Sequence, residues 1–207
     1  MNLVSNFSFR LENAMTKTAH IALFLLLLFS ACTPAPTPQT TQAMPTPTLP
    51  TSMQTLEACG FLVNYPPQLT PKGKGHQVTF LAPDSRVSVS IQVRRRDPSE
   101  GDSSLEMLAL HLQVRHFPEM SSLSYKPINI IDDQQNTLPG LQRDIAKNGI
   151  YTRLIVFVRP NTMIANLLPA DAIYEMVAQA PETDWATWKP VLDEIINSWQ
   201  PRNCSGG

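Results

Sequence analysis

From Val87 to Val93 apolar residues fall at every second position, Val87, Val89, Ile91 and Val93 alternating with polar neighbours. This period predicts a strand over residues 86–94 with one buried and one wet face. Upstream, Gly60-Phe-Leu-Val-Asn-Tyr65-Pro-Pro predicts a short strand closed by prolines that cannot continue a ladder. Residues 71–75, Pro-Lys-Gly-Lys-Gly, predict a turn, residues 77–81 a second strand, and Ala82-Pro-Asp-Ser85 another turn. The period then changes. Leu105, Leu108, Ala109 and Leu112 form the stripe of a helix over residues 105–117, with Ser103 and Glu106 as a capping box and Pro118 as its stop. Strands follow over 123–131 and 140–146, joined by the polar string Asp132-Asp-Gln-Gln-Asn136. Asn148-Gly149 signals a hairpin into 150–158, whose Leu-Ile-Val-Phe-Val run predicts a central strand. Arg159-Pro-Asn161 predicts a turn, residues 162–168 fit either strand or helix, and 172–179 make the last strand. Trp185, Trp188, Leu192, Ile195, Ile196 and Trp199 recur at three- and four-residue steps, predicting a helix over 184–199 that Pro201 closes. Pro190 fits it only if the helix proper begins near Thr187 or its first turn is kinked. Strands, a helix, a meander and a final aromatic helix define an α+β fold, an antiparallel β-sheet flanked by helices.

Ahead of this domain lies a stretch of another kind. The apolar run over residues 21–29 is far shorter than the ~20 residues of a membrane-spanning helix. It has the length of a signal-peptide core, with small residues Ser30 and Ala31 at the cleavage position. A cysteine directly after them resembles the lipobox of bacterial lipoproteins, with Phe29 standing where that family favours Leu. The resemblance implies a leader over residues 1–31 and a diacylated Cys32 that anchors the chain outside the cytoplasm. An ordinary secretory leader cut at Ser30-Ala31, with an incidental Cys32, is the alternative. Residues 15–20 already supply a charged leader start, so translation is expected to begin at Met15. Residues 32–52, the lipidated cysteine and a Thr/Pro-rich linker without charge or glycine, cannot bury enough surface to order themselves. At ~3.1 Å per residue this stalk reaches roughly 60 Å from a bilayer. Its composition also suits O-glycosylation.

Charge narrows the partners. The chain has 16 Lys/Arg and 17 Asp/Glu, and setting aside Arg10, Lys17 and Glu12 leaves the part after residue 52 at a formal −2. That balance gives no electrostatic attraction to nucleic acid or an anionic membrane, so the membrane is reached through the lipid on Cys32. Residues 53–204 have the size of one domain, 205–207 form a tail, and a monomer is expected. With Cys32 acylated, Cys59 and Cys204 remain and bracket the domain. In an exported chain such a pair reads as a disulfide, two unlinked thiols in a reducing setting being the alternative.

Residues 60–66, the hairpin over 78–93, the helix over 105–112, the strand 173–179 running into Ala180-Pro-Glu-Thr-Asp-Trp-Ala-Thr-Trp, and the ending Val191-Leu-Asp-Glu-Ile-Ile-Asn-Ser-Trp199 resemble the PsbP-like domains. These are α/β/α sandwiches related to the extrinsic photosystem II protein, and many bacteria carry exported or lipid-anchored versions. The resemblance implies a single non-enzymatic domain that docks to a larger assembly. No binding residue of the photosynthetic members matches here.

Candidate chemistry is sparse. His111 and His116 are five apart, off one helical face, and read as surface residues rather than metal ligands. Asp132 and Asp133 read as a solvated connection rather than a cation site or acid/base pair. The tract Arg94-Arg95-Arg96 is a candidate partner-binding patch, set against a strand end balanced by Asp97, Glu100 and Asp102. The tryptophan stripe reads as core rather than a ligand pocket. No nucleophile elbow, zinc-protease, P-loop or dinucleotide motif is present, and no cofactor or metal is expected. The expected function is that of a membrane-anchored accessory factor docking to an envelope or membrane protein. A lipoprotein holding a small apolar ligand between sheet and helix is the alternative, and a hydrolase ranks third.

Overall fold

A computed structural model describes residues 52–101, 103–120, 124–164 and 169–204. The leader, Cys32, the linker up to residue 51, the tail, Asp102, residues 121–123 (the last being the first residue of the 123–131 strand) and residues 165–168 lie outside the described residues. No helix among the described residues is long and apolar enough to cross a membrane.

Two long strands hold the centre, β8 (Ile150–Thr162) and β9 (Ala170–Pro181). Their middle residues are buried on both faces, as the unbroken apolar run of β8 requires. Around them an all-antiparallel sheet runs β3 (Thr70–Lys74), β4 (Gln77–Leu81), β5 (Ser88–Arg95), β9, β8, β7 (Thr137–Lys147), β6 (Lys126–Ile131). A second small sheet has β2 (Phe61–Tyr65) between β1 (Gln54–Ala58) and β10 (Gln200–Pro201). The two helices lie on opposite faces of the large sheet. Helix α1 (Leu105–His116) packs Leu108, Ala109 and Leu112 onto Ile145, Leu154, Val156 and Ile173. Helix α2 (Glu182–Ser198), with the small sheet, covers the other face through Trp185, Trp188, Val191, Leu192, Ile195 and Ile196. Each buried Leu, Ile or Val among them contributes about 1.5–3 kcal/mol. This is the α+β sandwich that the sequence predicts.

Several local expectations are corrected. Residues 71–75 are not a turn: Thr70–Lys74 is edge strand β3, where Pro71 is tolerated, and the reversal falls at Gly75 and His76. Gly73 has φ +93, and a Cβ there would sit 2.6 Å from the Gln77 carbonyl oxygen. The cap of α1 is Ser104, whose hydroxyl accepts from Met107 N–H, while the Ser103 hydroxyl donates to the Glu100 carbonyl. The capping box belongs instead to Asp97 and Glu100 around a short 3-10 turn. Leu105 is only half-buried. Residues 159–161 do not end β8; the chain makes an irregularity between Arg159 and Thr162 with Asn161 at φ +50, and pairing continues. Helix α2 begins at Glu182, well before Thr187, so Pro190 lies inside it. Pro190 and Ala186 are both exposed, so water can serve the carbonyl that proline leaves without a donor. β9 is not the last strand, and neither β1 nor β10 is foreseen by pattern.

The Asn148-Gly149 turn does form, with positive φ at both residues, and the Gly149 carbonyl accepts the first N–H of α2 at 2.9 Å. Cys59 and Cys204 are joined, closing a separation of 145 residues. Cys204→Ser is therefore expected to lower stability by about 4 kcal/mol in urea unfolding of the full chain. A loss under about 1 kcal/mol would mean that non-covalent contacts alone hold the two ends.

Candidate functional site

The last turn of α2 shapes a hollow beside β6. Ser198 projects from it toward β2, where its hydroxyl accepts from Asn64 N–H at 2.9 Å and donates within reach of the Ile195 and Asn64 carbonyls. This contact binds helix to small sheet and leaves neighbouring Asn197 exposed. Trp199, 2% exposed, wedges its ring edge-on against Phe157 at 4.7 Å and fixes where the chain leaves the helix for β10. Helix α2 packs mainly on β2, β8 and β9. A groove of about 800 Å³ remains between β6 on one side and α2, β2 and β10 on the other. Ile128, Ile130 and Ile196 supply apolar lining; Asn64, Asn129, Gln142, Asn197 and Gln200 supply neutral amides.

Its charged residues are committed elsewhere. Arg153, 4% exposed, contacts Asp144 at 2.7 and 3.0 Å, pairs with Asp193, and lies 5.3 Å from the Trp185 ring centre. Burial pushes the Asp193 carboxyl up, but hydrogen bonds from Lys189 and Arg153 outweigh it and leave it below its ordinary value. Asp193 therefore stays ionised and paired near neutrality. The two charged members of the groove are thus engaged with each other and with Asp144 and Lys189.

At one end of the groove lies a buried ionic cluster. Asp132, read from sequence as solvated, is 2% exposed and accepts from Gln134 N–H, Asn136 N–H and the Asn136 side chain. Arg159 bonds it at 3.3 Å, Asp133 at 2.6 Å and Asn203 at 3.4 Å. Burial alone would raise the Asp132 pKa; the Asn136, Gln134 and Arg159 hydrogen bonds bring it below its ordinary value.

The other sequence candidates lie apart from this groove. Arg94 makes two 2.8 Å bonds to Glu100 and one of 3.4 Å to buried Glu175, which Arg115 also engages. Arg96 pairs with Asp171 at 3.1 Å and donates to the Ser103 carbonyl, whereas Arg95 is exposed. Charge balance within the tract thus comes from Glu100, Glu175 and Asp171. His111 and His116 are both exposed; partial desolvation of the His116 ring and the nearby Arg115 charge hold its pKa below its ordinary value. Among the described residues no three His, Cys, Asp or Glu side chains converge as metal ligands. Sequence reading missed His76, whose Nε2 lies 3.8 Å from the Cys59 sulfur. It missed the groove too, since no local pattern marks a gap between two sheets.

No family model matches the chain, and no curated protein matches it by sequence. Solved structures do resemble its fold. One is LpqN, involved in cell envelope biogenesis of Mycobacterium tuberculosis, at 11% identity and TM-score 0.41, covering 72% of this chain and 90% of that one. Another is the cyanobacterial PsbP (CyanoP) of Synechocystis sp. PCC 6803, at 13% identity and TM-score 0.46, covering 72% of this chain and 92% of that one. The likeness is one of fold.

Asp132→Asn is expected to lower stability by about 2 kcal/mol at neutral pH, because Arg159 loses its buried counter-charge and keeps only the more exposed Asp133. With the folded-state pKa lowered, the carboxylate's contribution is complete above the ordinary Asp value of about 3.9 and is lost as pH falls through the folded value. Urea unfolding across that range should show a shallower acid decline in the variant than in the parent. Equal declines would place the acid sensitivity at another carboxylate.

Proposed function

We propose that this chain is a membrane-tethered extracytoplasmic lipoprotein whose α+β domain serves as a non-catalytic docking module for a protein of the same membrane or envelope. The tether rests on Ser30-Ala31-Cys32 and the Thr/Pro-rich linker after it. The compartment is supported by the Cys59–Cys204 disulfide, a bond that persists in oxidising surroundings. Docking rests on the groove beside β6, which is large, open, lined by neutral amides and isoleucines, and has its charged members paired. Of the arginine tract, Arg95 is the member offered to a partner, Arg94 and Arg96 being held in internal ion pairs. An apolar ligand between sheet and helix is disfavoured because Trp185, Trp188, Leu192, Ile195 and Trp199 fill that space.

A photo-crosslinking residue at Asn197 of the full-length protein, expressed in cells, tests the docking face. The expected result is one reproducible protein adduct that a probe at Gln77, on the opposite face of the large sheet, does not give. No adduct, or the same adducts from both positions, would refute this docking face. Mass spectrometry of the same preparation should find a mature N-terminus at Cys32 bearing diacylglycerol, and an unmodified Cys32 would remove the tether.

A further inference from the structure

The backbone of β6 says how a partner is gripped. Pro127 opposes Leu141 and Asn129 opposes Pro139 in the β6–β7 ladder. Neither pair can exchange two N–H···O bonds, since each contains a proline. The bonded pairs are therefore the intervening ones, Ile128 with Gly140 and Ile130 with Leu138. The turn agrees, because Asp132 N–H, in the same phase, donates to the Asn136 carbonyl at 3.0 Å. It follows that the N–H groups of Asn129 and Ile131 point away from β7, off the outer edge of the sheet. Asp133 is next in that phase, and its N–H donates to the Pro201 carbonyl of β10 at 3.1 Å. The edge is thus already joined by a foreign strand for one hydrogen bond. Beside that point the groove opens, lined by Asn129 and Ile131 of β6 and by Leu62, Asn64 and Gln200 of the small sheet.

Exposed edges are normally blunted by charge, proline or a covering element. β6 has Lys126 and Pro127 at its beginning, but Asn129 and Ile131 carry neither device, and Ile131 is 45% exposed. We propose that β6 receives an extended segment of the partner protein as an eighth strand of the large sheet, bonded to the Asn129 and Ile131 backbone and seated between β6 and β10. This rests on the docking reading above and adds the mode of attachment. Successive side chains of an added strand point to opposite faces. Those directed into the groove meet isoleucines and neutral amides, with Arg153 and Asp193 already paired, so the guest segment is uncharged at alternate positions. Because backbone supplies the grip, that alternation matters more than a fixed sequence.

The test pans phage-displayed random peptides on the full-length, disulfide-bonded protein and follows amide exchange by NMR. Selected peptides should slow exchange at Asn129 and Ile131, with little change at Ile128 and Ile130, whose amides already face β7. Asn129→Pro removes the outward donor while sparing the β6–β7 ladder, and should weaken these peptides about tenfold or more. Asn129→Ala keeps the donor and should stay within about twofold. The wild-type exchange pattern decides the matter if the proline variant does not fold. Peptides that bind the groove without protecting Asn129 and Ile131 overturn strand addition yet leave docking intact. Docking itself fails separately, by the missing Asn197 adduct. Protection of the two amides through a concentration-dependent dimer would overturn a partner strand in favour of a second copy.

Discussion

The fold depends on bringing its two ends together at Gly60. The Gly60 carbonyl accepts from Tyr174 Oη at 2.9 Å, from the centre of β9, and from Arg202 N–H at 2.9 Å, just after β10. The Cys59–Cys204 bond lies beside this junction, and Cys204 N–H donates to the Met163 carbonyl beyond β8. Without that meeting β10 has no reason to pair with β2, and the small sheet would be a two-stranded hairpin, marginal by itself. Tyr174 is buried, and burial drives its pKa upward, so the phenol stays protonated and keeps donating.

The groove follows from this closure. The Gly60 junction sets where residues 199–201 cross, and the Arg159 cluster sets where the β6–β7 turn lies. Each is held by partners far apart in sequence, so the gap between them has firm walls. A hollow built this way comes largely pre-formed, which limits the ordering entropy a guest must overcome.

These dependencies explain what could be read from residues alone. The β4–β5 hairpin, the stripe of α1 and the Asn148-Gly149 turn were legible because their signals are local. The bridging cysteines were legible because two cysteines bracketing a domain expected to be exported read as a disulfide. β3 was obscured by Pro71, Gly73 and Gly75, whose turn chemistry says nothing about edge position. Pro190 misled because its tolerance depends on which side of α2 meets water. Asp132 looked solvated because its counter-charge, Arg159, lies 27 residues away. The groove depends on the spacing of two sheets, which no short window of sequence encodes.

The disulfide also has a mechanical meaning. Any pull delivered through residues ahead of β1 arrives at Gln54, the end of β1 opposite Tyr65. An antiparallel pair loaded at that end opens like a zipper, one rung at a time, from Gln54 toward Ala58. The opening stops at Cys59, where the covalent link passes the load to Cys204 and the far end of the domain. β1 then behaves as a fuse: it gives way under tension, while the fold behind the cystine stays closed.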